Sequence, residues 1–195
     1  MVEVNEEIAR AYFREVCGYL VRAGFYYKKF RKRRAGKKKG GAGPADIDLL
    51  IMHPNPSSKQ YRGFVKNYDQ RAMVSVKGWH MEPKRRKSRK NALGEMDNAC
   101  SSLFADRQAS DSAKAFFGSG DFKKLLVISR LDENFKEDQR KYARQKYGVE
   151  QIIEFQQMLE KLMAQARSRK RTYFPESPIL QTIYTISKYV LSEKR

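Results

Sequence analysis

Apolar residues in this chain come in runs of only four or five, and that limits the folds open to it. Leu49-Leu50-Ile51-Met52, Leu125-Leu126-Val127-Ile128 and the stretch Ala72-Met73-Val74-Ser75-Val76 are too short for buried helices and too apolar for loops, so each reads as a strand. Around them apolar residues recur at helical spacing: Ile8, Tyr12, Val16 and Leu20; Leu93, Met96, Cys100 and Leu103; Ile179, Ile183, Ile186 and Val190. No run is long enough to span a bilayer. Asn5 can cap the first helix, with Glu6 and Glu7 in its first turn and Gly24 as its stop. Phe25-Tyr26-Tyr27 opens a strand, Gly40 to Pro44 belongs to a flexible loop, and Pro54 to Gln70 is a long hairpin connection. A turn at Gly118–Asp121, a polar helix from Asp132 to Gly148, a strand over Val149–Phe155 and helix to about Ala166 follow. Ser177-Pro178 opens the closing helix. The order predicts an α/β protein with a mixed central sheet flanked by helices on both faces. At 195 residues it makes one domain, with a core over about 5–155 and a helical extension from about 156 to 195.

Charge narrows the partners. Lys and Arg number 41 against 22 Asp and Glu, a formal charge of +19. Such an excess is self-repulsive unless a polyanion meets it, and nucleic acid is the expected partner. The basic residues cluster. Lys28, Lys29, Arg31, Lys32, Arg33, Arg34, Lys37, Lys38 and Lys39 form one group; Lys84, Arg85, Arg86, Lys87, Arg89 and Lys90 form a second. Arg167, Arg169, Lys170 and Arg171 form a third, and Tyr26, Tyr27, Phe30, Tyr173 and Phe174 interleave with the clusters. Neutralising six to ten phosphates would give a log K against log salt slope of roughly −5 to −9. Neither a lipidation motif nor a long basic amphipathic helix points to a membrane. Cys17 and Cys100 lie far apart, which excludes a disulfide framework or cysteine-rich zinc site. With an acidic N-terminus in place of a secretory leader, the expectation is a cytoplasmic protein.

One pattern carries chemistry. Asp46 and Asp48 announce the Leu49–Met52 strand, and the next strand closes on Ser75-Val76-Lys77. A carboxylate at one strand's mouth and a lysine on its neighbour make half of a phosphodiester-cutting centre. A leading helix, a strand opened by an acid, a neighbour ending in x-V-K and then helix–strand–helix resembles the PD-(D/E)xK, restriction-endonuclease-like nuclease superfamily. Archaeal Holliday-junction resolvases and Mrr-type enzymes are among its members. The resemblance covers about residues 5 to 155. It implies that Asp48, or Asp46, supplies the first acid and Lys77 the lysine, while Ser75 stands where the second acid belongs.

That departure leaves two readings open. The site is dead, keeping fold and DNA binding, or the missing carboxylate has migrated, to Glu95 on the following helix or to Glu82. In the active reading Mg²⁺ or Mn²⁺ takes oxygens from Asp48, Glu95, the Val76 carbonyl and, as the alternative, Asp46, in octahedral array near ~2.1 Å. Lys77 would orient the attacking water and stabilise the transition state, and Glu7 matches an additional acid that many members carry on the first helix. The resemblance therefore implies a metal-dependent endonuclease acting on duplex or branched DNA, possible as a homodimer. A catalytically silent DNA-binding protein and a basic RNA-binding protein are the alternatives. Plainer roles stand beside each residue: Asp46 and Asp48 as loop caps, Lys77 and Glu95 as solvated charges, Glu7 as a helix-dipole partner, Trp79 as packing, and His53 and His80 as incidental.

Overall fold

The computed structural model describes residues 4–29, 43–54, 71–78, 88–168 and 178–187. Five strands, β1 (Leu20–Lys29), β2 (Gly43–Met52), β3 (Arg71–Val76), β4 (Lys123–Ile128) and β5 (Val149–Glu154), form one sheet in sequential order. β1, β2 and β3 pair antiparallel; β3, β4 and β5 run parallel. The parallel pairs need crossovers, supplied by α2 (Arg89–Phe104) with α3 (Arg107–Phe117), and by α4 (Lys136–Tyr147). α1 (Val4–Ala11) continues into a π-helical turn at Tyr12–Val16, while α5 (Phe155–Ser168) and α6 (Pro178–Thr185) close the described chain. The architecture is thus the α/β mixed sheet with helices on both faces that the sequence predicts.

Alternation along the strands sorts the core into two layers. Leu50, Met73, Leu126 and Ile152 pack with Met96, Cys100 and Leu103 of α2 and with α3 and α4. Leu49, Ile51, Val74, Val76 and Val127 pack on the other face with Ile8, Tyr12 and Phe13 and with Phe155, Met158 and Leu162 of α5. Helix α5, assigned from sequence to an extension, shares this second layer with α1. A third device ties helices to the sheet: the β4 side chain Lys124 donates to the carbonyls of Phe104 and Tyr147 at the ends of α2 and α4, at 3.2 and 3.1 Å. A cation there meets the negative end of both helix dipoles. Between α2 and α4, Asp97 accepts from Tyr142, Lys146 and Tyr147 at 2.6–2.7 Å.

Several boundaries differ from the sequence reading. The first helix stops at Gly18, whose φ of +75° is left-handed, and Leu20 already lies in β1. Gly24 is inside that strand at φ +56° and Phe25–Tyr27 lie in its second half. The four-residue apolar spacing from Ile8 runs past the true stop because Leu20 falls in phase by coincidence. Gly43 and Pro44 belong to β2. Helix α3 occupies the span before Gly118 that the sequence reading left unassigned, and Asp132 caps a turn ahead of α4 rather than the helix itself. The connection over 55–70 and most of the basic clusters lie outside the described residues; Lys28, Lys29, Arg89, Lys90 and Arg167 lie within them.

Asn5 is a residue of α1, not its cap, and its side-chain amide lies so close to Gly78 that a Cβ there would collide with it. A larger residue at 78 would make the Asn5 side chain turn aside from the chain just past β3. Gly78→Ala should cost about 1–3 kcal/mol by overpacking. Adding Asn5→Ala should recover part of that loss in chemical denaturation, whereas strictly additive losses would mean the two positions do not touch.

Candidate functional site

The β2–β3 ladder has its last pair at Leu49–Val74, after which β2 leaves β3 and runs on with β1 alone. The fork leaves the Val76 N–H without a strand partner. Asp48 fills the place: its Oδ2 accepts from Val76 N at 2.5 Å and from the Ser75 hydroxyl at 3.2 Å. On the other strand the opposite residue is Gly24, and the β1–β2 register, regular on either side, shows no pair at Gly24–Asp48. The gap in the ladder at the left-handed Gly24 coincides with the turn of Asp48 toward β3.

Lys77 follows directly. Its backbone N–H donates to Val127 O at 2.8 Å, which holds it to β4 beyond the last strand residue. Its ammonium lies 3.8 Å from Asp48 Oδ2, with the lysine side chain 32% exposed and the carboxylate 14%. Asp48, Ser75 and Lys77 therefore meet at one corner, at the carboxyl end of parallel strands β3 and β4, where open α/β sheets bind their ligands. Burial raises the Asp48 proton affinity; Lys77, the Val76 amide and the Ser75 hydroxyl pull it back, and Asp46 pushes it up again. Asp46 is thus close enough to be felt. It is itself exposed on β2 opposite Tyr26.

The other expected residues are placed as follows. Glu95 sits in the second turn of α2, half-buried, and Glu7 on α1 pairs with Arg10 at 3.7 Å. Glu82, Trp79 and His80 fall outside the described residues. His53, just past β2, packs its ring edge-on to Tyr19 at 5.3 Å. Among the described residues no three His, Cys, Asp or Glu side chains gather as a metal site. Both thiols are unpaired, and burial pushes Cys17 up to about 11 and Cys100 to about 12, so neither is a nucleophile at neutral pH. The Lys77 charge is felt at Cys100, which puts the ammonium on the α2 side of the sheet.

Two features escaped the sequence reading. Asn5 is 8% exposed and its Oδ1 has no hydrogen-bond partner among the described residues, as is also true of Ser129 Oγ just past β4. Register places Ser129 beside Gly78, since Val76 pairs with Val127, so both buried oxygens border the carboxyl end of β3. The glycine directly after Lys77 was the one sequence sign of a close approach there. A groove of about 530 Å³ lies elsewhere, between α4 and the β5 edge, and its lining mixes Arg140, Lys141 and Arg144 with Glu137 and Glu150.

A hard divalent ion accepts one or two carboxylates and keeps several waters. All three Asp48 contacts fall on Oδ2, leaving Oδ1 without a hydrogen bond or ion pair among the described residues. Asp48 alone could give such an ion one carboxylate oxygen, and among the described residues no group of three metal-ligating side chains stands around it. No protein-family model, no curated protein and no solved structure matches the chain.

Because the raised proton affinity belongs to the folded state, ionising Asp48 opposes folding. That penalty is absent below the ordinary carboxylate range and grows as pH rises through the raised value. Asp48→Asn, which keeps an oxygen for Val76, should melt roughly 2–4 °C above wild type at pH 7, the gap closing toward about pH 4. A variant that melts lower at every pH would show that the ionised carboxylate is a net stabiliser.

Proposed function

We propose that this chain is a metal-dependent DNA endonuclease of the PD-(D/E)xK kind, cutting at the corner formed by Asp48, Ser75 and Lys77. One observation carries the reading. The Asp48 carboxylate and the Lys77 ammonium, 29 residues apart in sequence, stand 3.8 Å from each other on one side of the sheet. An aspartate and lysine on opposite sides would have ended it. The strand order and the position of the corner at the carboxyl ends of β3 and β4 support the same reading.

Asp48 would hold Mg²⁺ or Mn²⁺ through Oδ1, with Glu95, Asp46 or the Val76 carbonyl as candidates for further contacts. When bound, the ion supplies charge neutralisation and an acidified water. The chain supplies the rest. Lys77 places a fixed positive charge where a scissile phosphate oxygen gathers negative charge, and its backbone bond to β4 keeps that charge in register. Ser75, fully buried, and the Val76 amide hold Oδ2, while Oδ1 accepts no hydrogen bond among the described residues. The basic clusters would grip the backbone without reading sequence.

A second reading is favoured by a specific observation. Asp48 already has three protein contacts on Oδ2, and no trio of metal-ligating side chains gathers among the described residues. A chain that binds DNA with this corner as a structural fork would look the same.

Cleavage of linear, branched and single-stranded DNA, with and without Mn²⁺, separates the two. The nuclease reading expects metal-dependent nicking, with Asp48→Asn or Lys77→Ala lowering the rate by at least about 10²-fold, a loss of the size seen for single electrostatic groups. DNA affinity should change less than threefold. Salt-sensitive binding with no cleavage under either metal would leave the silent reading in its place.

A further inference from the structure

Strand β5 ends the sheet order, so one side of its backbone has no strand partner among the described residues. Helix α4 lies alongside, and the groove of about 530 Å³ between them is lined by both elements and by Gln157 in the first turn of α5. Its charges look balanced until their partners are traced. Glu137 is taken by Arg140 at 3.1 Å, and Glu150 by Lys123 of β4 at 2.9 Å. Arg140 turns its other terminal nitrogen toward the buried Glu154, 3.8 Å away. Lys141 and Arg144 are left over. Both are exposed, and neither side chain has an ion pair or a hydrogen bond among the described residues. Asp138, whose carboxyl feels Lys141, is held by Arg89 through two hydrogen bonds of 2.7 and 3.1 Å. The carboxamides of Gln151 and Gln157 are likewise unbonded there.

Two uncompensated cations ask for an anion, and the strand wall beside them narrows which. An edge strand presents N–H donors and C=O acceptors in turn. A phosphodiester backbone carries acceptors alone and would set its oxygens against those carbonyls. An extended peptide answers both, which is how a strand adds to a sheet edge. Spacing agrees. Lys141 and Arg144 stand three apart on α4, where Cβ atoms are about 5–6 Å from each other. Alternate side chains of a strand repeat every ~6.6 Å on one side, so acids two apart reach both cations. The β4–β5 register shifts at Glu150, a bulge that shortens the edge open to pairing and with it the segment that fits.

We propose that the α4–β5 groove docks a short acidic segment of a partner protein, added to β5 as a further strand, with carboxylates two residues apart on Lys141 and Arg144. The site is separate from the Asp48–Lys77 corner, and it stands or falls independently of DNA cleavage.

Fluorescence anisotropy of the full chain with a labelled Thr/Val hexapeptide carrying two Glu residues two positions apart, at one fixed salt concentration, tests it. Lys141→Ala with Arg144→Ala should weaken binding by roughly 3- to 30-fold, the worth of two exposed ion pairs. Arg107→Ala with Lys114→Ala removes the same charge from the exposed side of α3 and should leave binding within about twofold. Thermal melts of the α4 double variant should match wild type, because both side chains are exposed. The same peptide with alternate amides N-methylated keeps its charge but loses its strand donors, and should bind at least about tenfold more weakly. Hydrogen exchange should slow within Glu150–Ile152 when the unmodified peptide is bound. Equal losses in the two double variants would reduce the effect to overall charge and overturn the proposal. So would an N-methylated peptide that binds as well as its parent, or no binding of the peptide at all. Oligo-dT binding that falls tenfold in the α4 double variant while peptide binding holds would make the occupant nucleic acid, and would overturn it too.

Discussion

The bond from the Val76 amide to the Asp48 carboxylate is the interaction on which the geometry of this protein turns. Strand β2 has to part from β3 after the Leu49–Val74 pair in order to continue with β1. Parting strands leave backbone donors exposed or, where buried, orphaned, at about 1–3 kcal/mol each. An aspartate side chain takes over as acceptor at the first position beyond the ladder, and the Val76 N–H keeps a hydrogen bond. The solution brings a cost of its own: a carboxylate now sits largely out of water, and its proton affinity rises. Lys77 offsets that cost from the neighbouring strand end.

Every element around the corner serves to hold it still. The start of α1 lies on Gly78 through Asn5, and β4 holds the Lys77 backbone through Val127. Lys124 binds the ends of α2 and α4 to the sheet beneath, and the buried Gln139 of α4 joins Ala92 of α2 to the turn at Asp132. A lysine tip 3.8 Å from a buried oxygen is a weak ion pair by distance, and partial exposure of the lysine weakens it further. Its position is therefore set by the backbone more than by the attraction. That is the condition for a charge to act on a third party, and it is why the same corner serves either a catalytic or a purely structural account.

The two oxygens of Asp48 divide those accounts. Oδ2 belongs to the fold, with Val76, Ser75 and Lys77 on it; Oδ1 has no hydrogen bond among the described residues. Ser75 is informative here. A carboxylate at that fully buried position would face Asp48 directly, and two like charges so close cannot both stay ionised without a cation between them. The serine relieves that repulsion and donates a hydrogen bond in its stead. A corner built this way needs no bound ion to be stable, and any ion it takes must find its further ligands elsewhere.

The α/β class and the strands carrying Asp48 and Ser75-Val76 were legible in the sequence, whereas the meeting of Asp48 with Lys77 was expected only through the family resemblance. Short apolar runs and helical stripes are local signals, and burial on one or both faces writes them directly into residue order. The end of the first helix was not, because Leu20 kept the helical phase although Gly18 had already reversed the chain. Nor was the role of Asn5, which local rules make a cap and the fold makes a spacer against Gly78. The splitting of Phe25, Tyr26 and Tyr27 among packing, hydrogen bonding and solvent was likewise decided by where α3 lands on β1. Residue order fixes which faces are apolar; contacts between segments far apart in the chain depend on how the layers close over one another, and no local pattern encodes that.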